Sequence, residues 1–182
     1  MNINNIMNKQ NKKVLNLITR YLSILILGLG NLYILQKILT PPTIHTTNWI
    51  LGIFTETILT KNTIRTNSLT LQIIPACVAI SAFYLLIFLI LSTADIKTKT
   101  RFYAACSAIA ILFILNITRI LILIPMASSP YFNTVHWLFW HLISTVFVVA
   151  TWFTIIKLYK IESIPIYTDI KYLKGLIKYK KK

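Results

Sequence analysis

Three kinds of side chain in this sequence could work together as a nucleophile and its helpers: cysteine, arginine and histidine. Cys77 stands in "PACVAI", Arg119 in "FILNITRILILIP", and His136 and His141 in "VHWLFWH". A cysteine attacks a carbonyl carbon, an imidazole relays the proton, and a guanidinium stabilises the developing oxyanion. This is an acyl-transfer kit, provided that the elements carrying the residues bring them to one place.

Those elements follow from composition. The chain has 182 residues, 56% of them apolar, and a net charge of +15. The charge first suggests a nucleic-acid partner, but its distribution argues against one. Lys and Arg cluster at the two ends and in one short loop, between long apolar runs, which is how membrane topology is signalled. Four windows approach or exceed the roughly 20 apolar residues that cross a bilayer. They are residues 15–35, 71–91, 103–126 and 135–158. The expected fold is an all-α integral membrane protein of about four transmembrane helices, with a surface-lying amphipathic segment between the first two. Residues 1–14 form the N-terminus, 15–158 the four-span domain and 159–182 a basic tail. The first window is too long for a cleaved signal peptide, and no small-residue cleavage site follows it.

Orientation follows from the basic residues. Lys9, Lys12 and Lys13 precede the first span, and Lys97, Lys99 and Arg101 join the second to the third. Lys157, Lys160, Lys171, Lys174, Lys178, Lys180, Lys181 and Lys182 follow the fourth. The loop "ASSPYFNT" has none, and the 40–70 segment has only Lys61 and Arg65 at its centre. Both termini are therefore expected in the cytoplasm, and the 40–70 and 127–134 segments outside. In "TNWILGIFTETILT", Trp49, Ile50, Phe54 and Ile58 recur at helical spacing, which predicts a helix lying on the outer surface.

An ionisable residue within a span costs roughly 2.5–3.5 kcal/mol on insertion scales, so each one needs a reason. Arg20 and Lys37 lie near span ends and can snorkel. Arg119 is deeper, ~10 Å along the axis from Met126. Asn116 lies one turn from it on the same face. A face carrying both should point into the bundle. Of the two cysteines, Cys106 shares a helix with Arg119 but stands ~20 Å away along it. Cys77 enters at the level where Arg119 exits. Depth also rules out a Cys77–Cys106 disulfide. Pro75 suits a first helical position, which puts Cys77 in a first turn, where helix N-termini favour thiolate. His136 and His141 point roughly 140° apart and cannot serve one site together; depth favours His141. No carboxylate lies within a span, and His45, His136 and His141 lack metal-ligand spacing. No metal or cofactor is expected.

At these residues the chain resembles the exosortase/archaeosortase family of membrane cysteine transpeptidases. The family pattern is Ala-Cys at the outer end of one span, Asn-x-x-Arg on the next, and a His opening the last. Here "ACVAI" supplies Cys77, "NITR" supplies Asn116 and Arg119, and "PYFNTVHWLFWH" supplies His136. The resemblance covers roughly residues 70–158. It implies Cys77 as nucleophile, Arg119 as oxyanion stabiliser, Asn116 in support and His136 as general base, with His141 second. Where the family usually carries glycine two residues after the cysteine, this chain has Ala79. The implied activity is a cysteine protease or transpeptidase at the outer face of the cytoplasmic membrane. Its implied partners are secreted proteins with a C-terminal motif, a transmembrane helix and a basic end. A lipid or glycan would be the acceptor. Two other readings compete: a non-enzymatic membrane assembly or accessory subunit held together by Asn116 and Arg119, and a transporter, for which four spans without a repeat are few.

Overall fold

Long apolar runs become helices here, and left-handed residues or a proline at a first helical position mark several of their ends, although α2 carries Pro41 and Pro42 inside it. The computed structural model describes residues 3–30, 32–67, 69–127 and 129–180, and the side chains of 11–175 within them. Among the residues expected to set orientation, Lys181 and Lys182 lie outside the described residues, as do the side chains of Lys9, Lys178 and Lys180. Asn31 in the first expected span, Ser68 in the 40–70 segment and Ser128 in the 127–134 loop also lie outside them.

The chain runs α1 (Ile3–Gly28), α2 (Tyr33–Phe54), β1 (Thr57–Thr60), β2 (Thr63–Thr66), β3 (Thr70–Gln72), α3 (Pro75–Val78), α4 (Ile80–Ser92) and α5 (Thr98–Leu123). After a 3₁₀ turn (Ile124–Met126) come α6 (Phe132–Leu138), a π-helical turn (Phe139–Ile143), α7 (Ser144–Tyr159) and α8 (Tyr167–Lys180). Among the described residues, three helical stretches are long and apolar enough to cross a membrane: Pro75–Ser92, Thr98–Met126 and Phe132–Tyr159. They are consistent with a membrane protein.

The first expected span, 15–35, is not one helix. Gly30 (φ 64°) and Leu32 (φ 62°) are left-handed, and the chain bends by 68° between Asn11–Gly28 and Tyr33–Phe54. Glycine tolerates that conformation without a Cβ penalty, so Gly30 costs little there, whereas Leu32 is strained. Only as a bent pair do these helices qualify as a span.

The amphipathic segment also differs from expectation, and the fold is not wholly α. The helix that holds Trp49 and Ile50 ends at Phe54, and Ile58 stands in a strand. Residues 57–72 form an antiparallel sheet in the order β1-β2-β3, with Ile58 opposite Arg65 and Ile64 opposite Leu71. The strands read TILT, TIRT and TLQ, rich in threonine and isoleucine, and such β-branched residues pack well on a pleated surface. That signal outweighed the helical spacing of four apolar residues. Ile64 and Ile73 are buried by the sheet's inner side.

The core joins α4, α5 and α7, which pack pairwise. Phe83, Leu86 and Ile90 of α4 meet Ala104, Ala108 and Leu112 of α5 and Val148, Trp152 and Ile155 of α7. The four-residue spacing of Ala104 and Ala108 lets helix backbones approach closely. Away from the sheet, Thr93 ends α4. Its carbonyl accepts from Arg20 Nη1 at 2.8 Å and from Arg101 Nη2 at 2.9 Å. Arg20 is buried and paired with Asp169 of α8, so it does not snorkel. The basic tail is thereby docked onto the helical core.

Candidate active site

Pro75 begins α3, as its fixed φ and missing N–H favour. The helix lasts one turn. Ala79 is left-handed (φ 56°, ψ 41°) and ends it before α4 restarts at Ile80. A continuous helix would satisfy the carbonyls of Ala76 and Cys77 with the N–H groups of Ile80 and Ser81. The break turns those donors away, and buried carbonyls need replacements.

Helix α5 supplies them. Asn116 Nδ2 donates to the Cys77 carbonyl at 3.0 Å. Arg119 Nη2 donates to the carbonyls of Ala76 and Cys77, each at 3.0 Å. Both side chains are buried, Arg119 to 3% exposure. A planar guanidinium presents several donors in a fixed fork, which suits one side chain to several acceptors.

The other arm of the fork reaches α7. Arg119 Nη1 donates to Ser144 Oγ at 2.7 Å, and Ser144 Oγ donates to the Phe139 carbonyl at 3.0 Å. Phe139 opens the π-helical turn, whose bond runs from the Ser144 N–H back to Phe139. Such a turn inserts one residue and re-aims the helix beyond it, often beside functional groups. Here it joins the last helix to the arginine.

These contacts surround a cleft of about 210 Å³, lined by Cys77, Arg119, His136, Gln72, Phe132 and apolar residues of β3 and α5. His136 stacks on Phe132, their ring centroids 5.5 Å apart and their planes 14° from parallel. Neither the Cys77 thiol nor the His136 ring has a hydrogen-bond partner among the described residues. Three separate helices therefore bring a thiol, an imidazole and a guanidinium to one apolar opening.

Two sequence candidates lie elsewhere. His141 Nδ1 bonds the Trp137 carbonyl at 3.1 Å, and its ring packs between Trp137 and Trp140. It does not line the cleft. Cys106 is exposed on α5 and also stays outside; it and Cys77 are both free thiols. The expected helix N-terminus at Cys77 exists, but a one-turn helix carries little dipole. The positive charge beside the cysteine comes from Arg119. Among the described residues no three His, Cys, Asp or Glu side chains converge to hold a metal ion.

Sequence reasoning missed Ser144 and Gln72. Ser144 reaches Arg119 through the π-helical turn, which no periodicity announces. Gln72 arrives on a strand where a helix was expected; the run of β-branched threonines and isoleucines before it was the signal that could have found it. Compared with known proteins, the chain matches no family model, no curated protein and no solved structure.

Proposed function

We propose that this chain is an exosortase-like membrane cysteine transpeptidase. It would cleave the C-terminal sorting signal of secreted surface proteins at the outer face of the cytoplasmic membrane. The observation that carries this reading is the cleft shared by Cys77, Arg119 and His136. The left-handed backbone at Ala79 adds support: the family's usual glycine corresponds to a position where glycine is the least strained residue.

In this reaction the Cys77 thiolate adds to the scissile carbonyl carbon, and the oxyanion forms beside Arg119. The C–N bond breaks as protonated His136 gives its proton to the leaving amine, and a thioester remains. An amine or hydroxyl acceptor, losing its proton to His136, attacks the thioester and expels the thiolate. Arg119 and Asn116 hold the Cys77 carbonyl, which orients the turn presenting the thiol. The proposed topology follows the basic residues: four spans, both termini cytoplasmic, the cleft outward. It requires the bent pair α1–α2 to cross once.

Cys77→Ala should abolish processing while the protein is still made and inserted, and Cys106→Ala should process normally. Processing that persists in Cys77→Ala would sink the nucleophile assignment. One observation favours the accessory-subunit reading: both Nη atoms of Arg119 are spent on the chain's own carbonyls and Ser144. Thiol labelling from the cleft side separates the two. Fast modification of Cys77 relative to a free thiol supports the enzyme, and an inert Cys77 supports the subunit.

A further inference from the structure

Strand β3 pairs with β2 and with no other strand, so one of its edges is free. The ladder identifies the groups on that edge. Ile73 N–H donates to the Asn62 carbonyl at 2.8 Å, and Thr66 N–H donates to the Leu69 carbonyl at 2.8 Å. Odd-numbered residues of this stretch therefore turn their backbone groups toward β2. By strand alternation, Thr70 and Gln72 turn theirs the other way. No hydrogen bond to the Gln72 backbone occurs among the described residues.

The cleft lies along this same edge. Adjacent residues of a strand point to opposite faces. Leu71 and Gln72 both line the cleft, so it abuts the edge of the strand rather than one face. With β2 on the other side, that edge is the free one. Gln72 and Cys77 are thus walls of one opening, joined by only a short stretch of chain. An edge strand with unpaired N–H and C=O groups is a template for an added strand.

We infer that β3 docks the polypeptide substrate as an added β-strand, through the Gln72 backbone, so that the scissile bond is extended when it reaches Cys77. This rests on the transpeptidase reading. An extended segment is also what a nucleophile needs, because a helical peptide buries its carbonyls in its own hydrogen bonds. Selection at this edge would come from backbone shape and from the apolar lining formed by Leu71, Ile74 and Leu123, with little demand for charge.

The probe is the precursor protein that accumulates uncleaved in cells carrying Cys77→Ala. Gln72→Pro removes the outward N–H, and Gln72→Ala keeps it while removing the side chain. Losing one such bond should make processing about tenfold slower in Gln72→Pro than in Gln72→Ala, since both lose the side chain and only the proline loses the N–H. A parent-like rate in Gln72→Pro, or an equal loss in both variants, overturns the docking strand. Should Gln72→Pro fail to accumulate, a benzoyl-phenylalanine crosslinker at position 72 in the Cys77→Ala chain decides. Crosslinks within a few residues of the cleavage site support the inference; crosslinks confined to the precursor's membrane helix, or none, overturn it. If no precursor accumulates in Cys77→Ala, the transpeptidase reading itself has failed.

Discussion

Two buried arginine sites serve the two ends of the broken helix α3–α4. At its far end, Arg20 and Arg101 share the Thr93 carbonyl, and Arg20 is paired with Asp169, which also accepts from Tyr21. At its near end, Arg119 and Asn116 share the Cys77 carbonyl, but Arg119 has no carboxylate partner among the described residues. Both sites repair exposed carbonyls. The far site holds one carboxylate for its two guanidiniums, and the near site holds none among the described residues. A buried charge without a counter-ion is costly, and beside Cys77 the described residues supply no carboxylate counter-ion at all. A developing oxyanion or a thiolate would be that counter-ion. The other site, built around the Arg20–Asp169 pair, acts as a latch for the tail.

The comparison can be broken at several points. The largest effect is expected at the latch. Asp169→Asn leaves Arg20 buried without its carboxylate and should destabilise the protein by about 3–5 kcal/mol, read as thermal unfolding in detergent. Below its transition, Cys77 should be labelled at the parent rate. A slowed rate would couple the two sites that the comparison separates.

Arg119→Lys keeps the charge but loses the fork. Processing per folded molecule should fall about 100- to 1,000-fold, the range for losing an oxyanion donor. Were the arginine only a clamp, stability would fall and the rate per folded molecule would not. Ser144→Ala removes one charge-assisted hydrogen bond and should cost about 1.5–3 kcal/mol of stability. It should also loosen Arg119 enough to lower the processing rate without changing the requirement for Cys77.

The smallest effect has the opposite sign. A non-glycine residue in the left-handed region costs roughly 1–2 kcal/mol. Ala79→Gly should therefore raise stability by about 1 kcal/mol, less whatever glycine's extra unfolded-state entropy takes back. A clear loss would mean that the Ala79 methyl, which is buried, packs for more than its backbone strains.

Much of the helical frame was legible in the sequence. The third and fourth expected spans, 103–126 and 135–158, fall within Thr98–Met126 and Phe132–Tyr159. Length and hydropathy suffice there, because no glycine interrupts either run and the one proline, Pro125, falls at the end of the first. The same features placed Pro75 at the start of a helix and turned Arg119 and Asn116 inward, since a polar pair one turn apart shares a face. The first span and the 57–72 sheet were not read correctly. In both, local backbone conformation defeated an apolar periodicity: left-handed residues at Gly30 and Leu32, and clustered β-branched residues in the sheet.

Sequence alone thus determined which side chains are candidates for chemistry and roughly where each one stands along its helix, because axial rise per residue is constant in a helix. It could not say which of them meet. The choice of His136 over His141 at the cleft depends on rotation and packing. The engagement of Ser144 depends on a π-helical turn, and the capture of the Cys77 carbonyl on a left-handed Ala79 that no spacing predicts. Those are decisions of tertiary structure: a broken helix exposes carbonyls, and the neighbour able to satisfy them is known only when the helices pack.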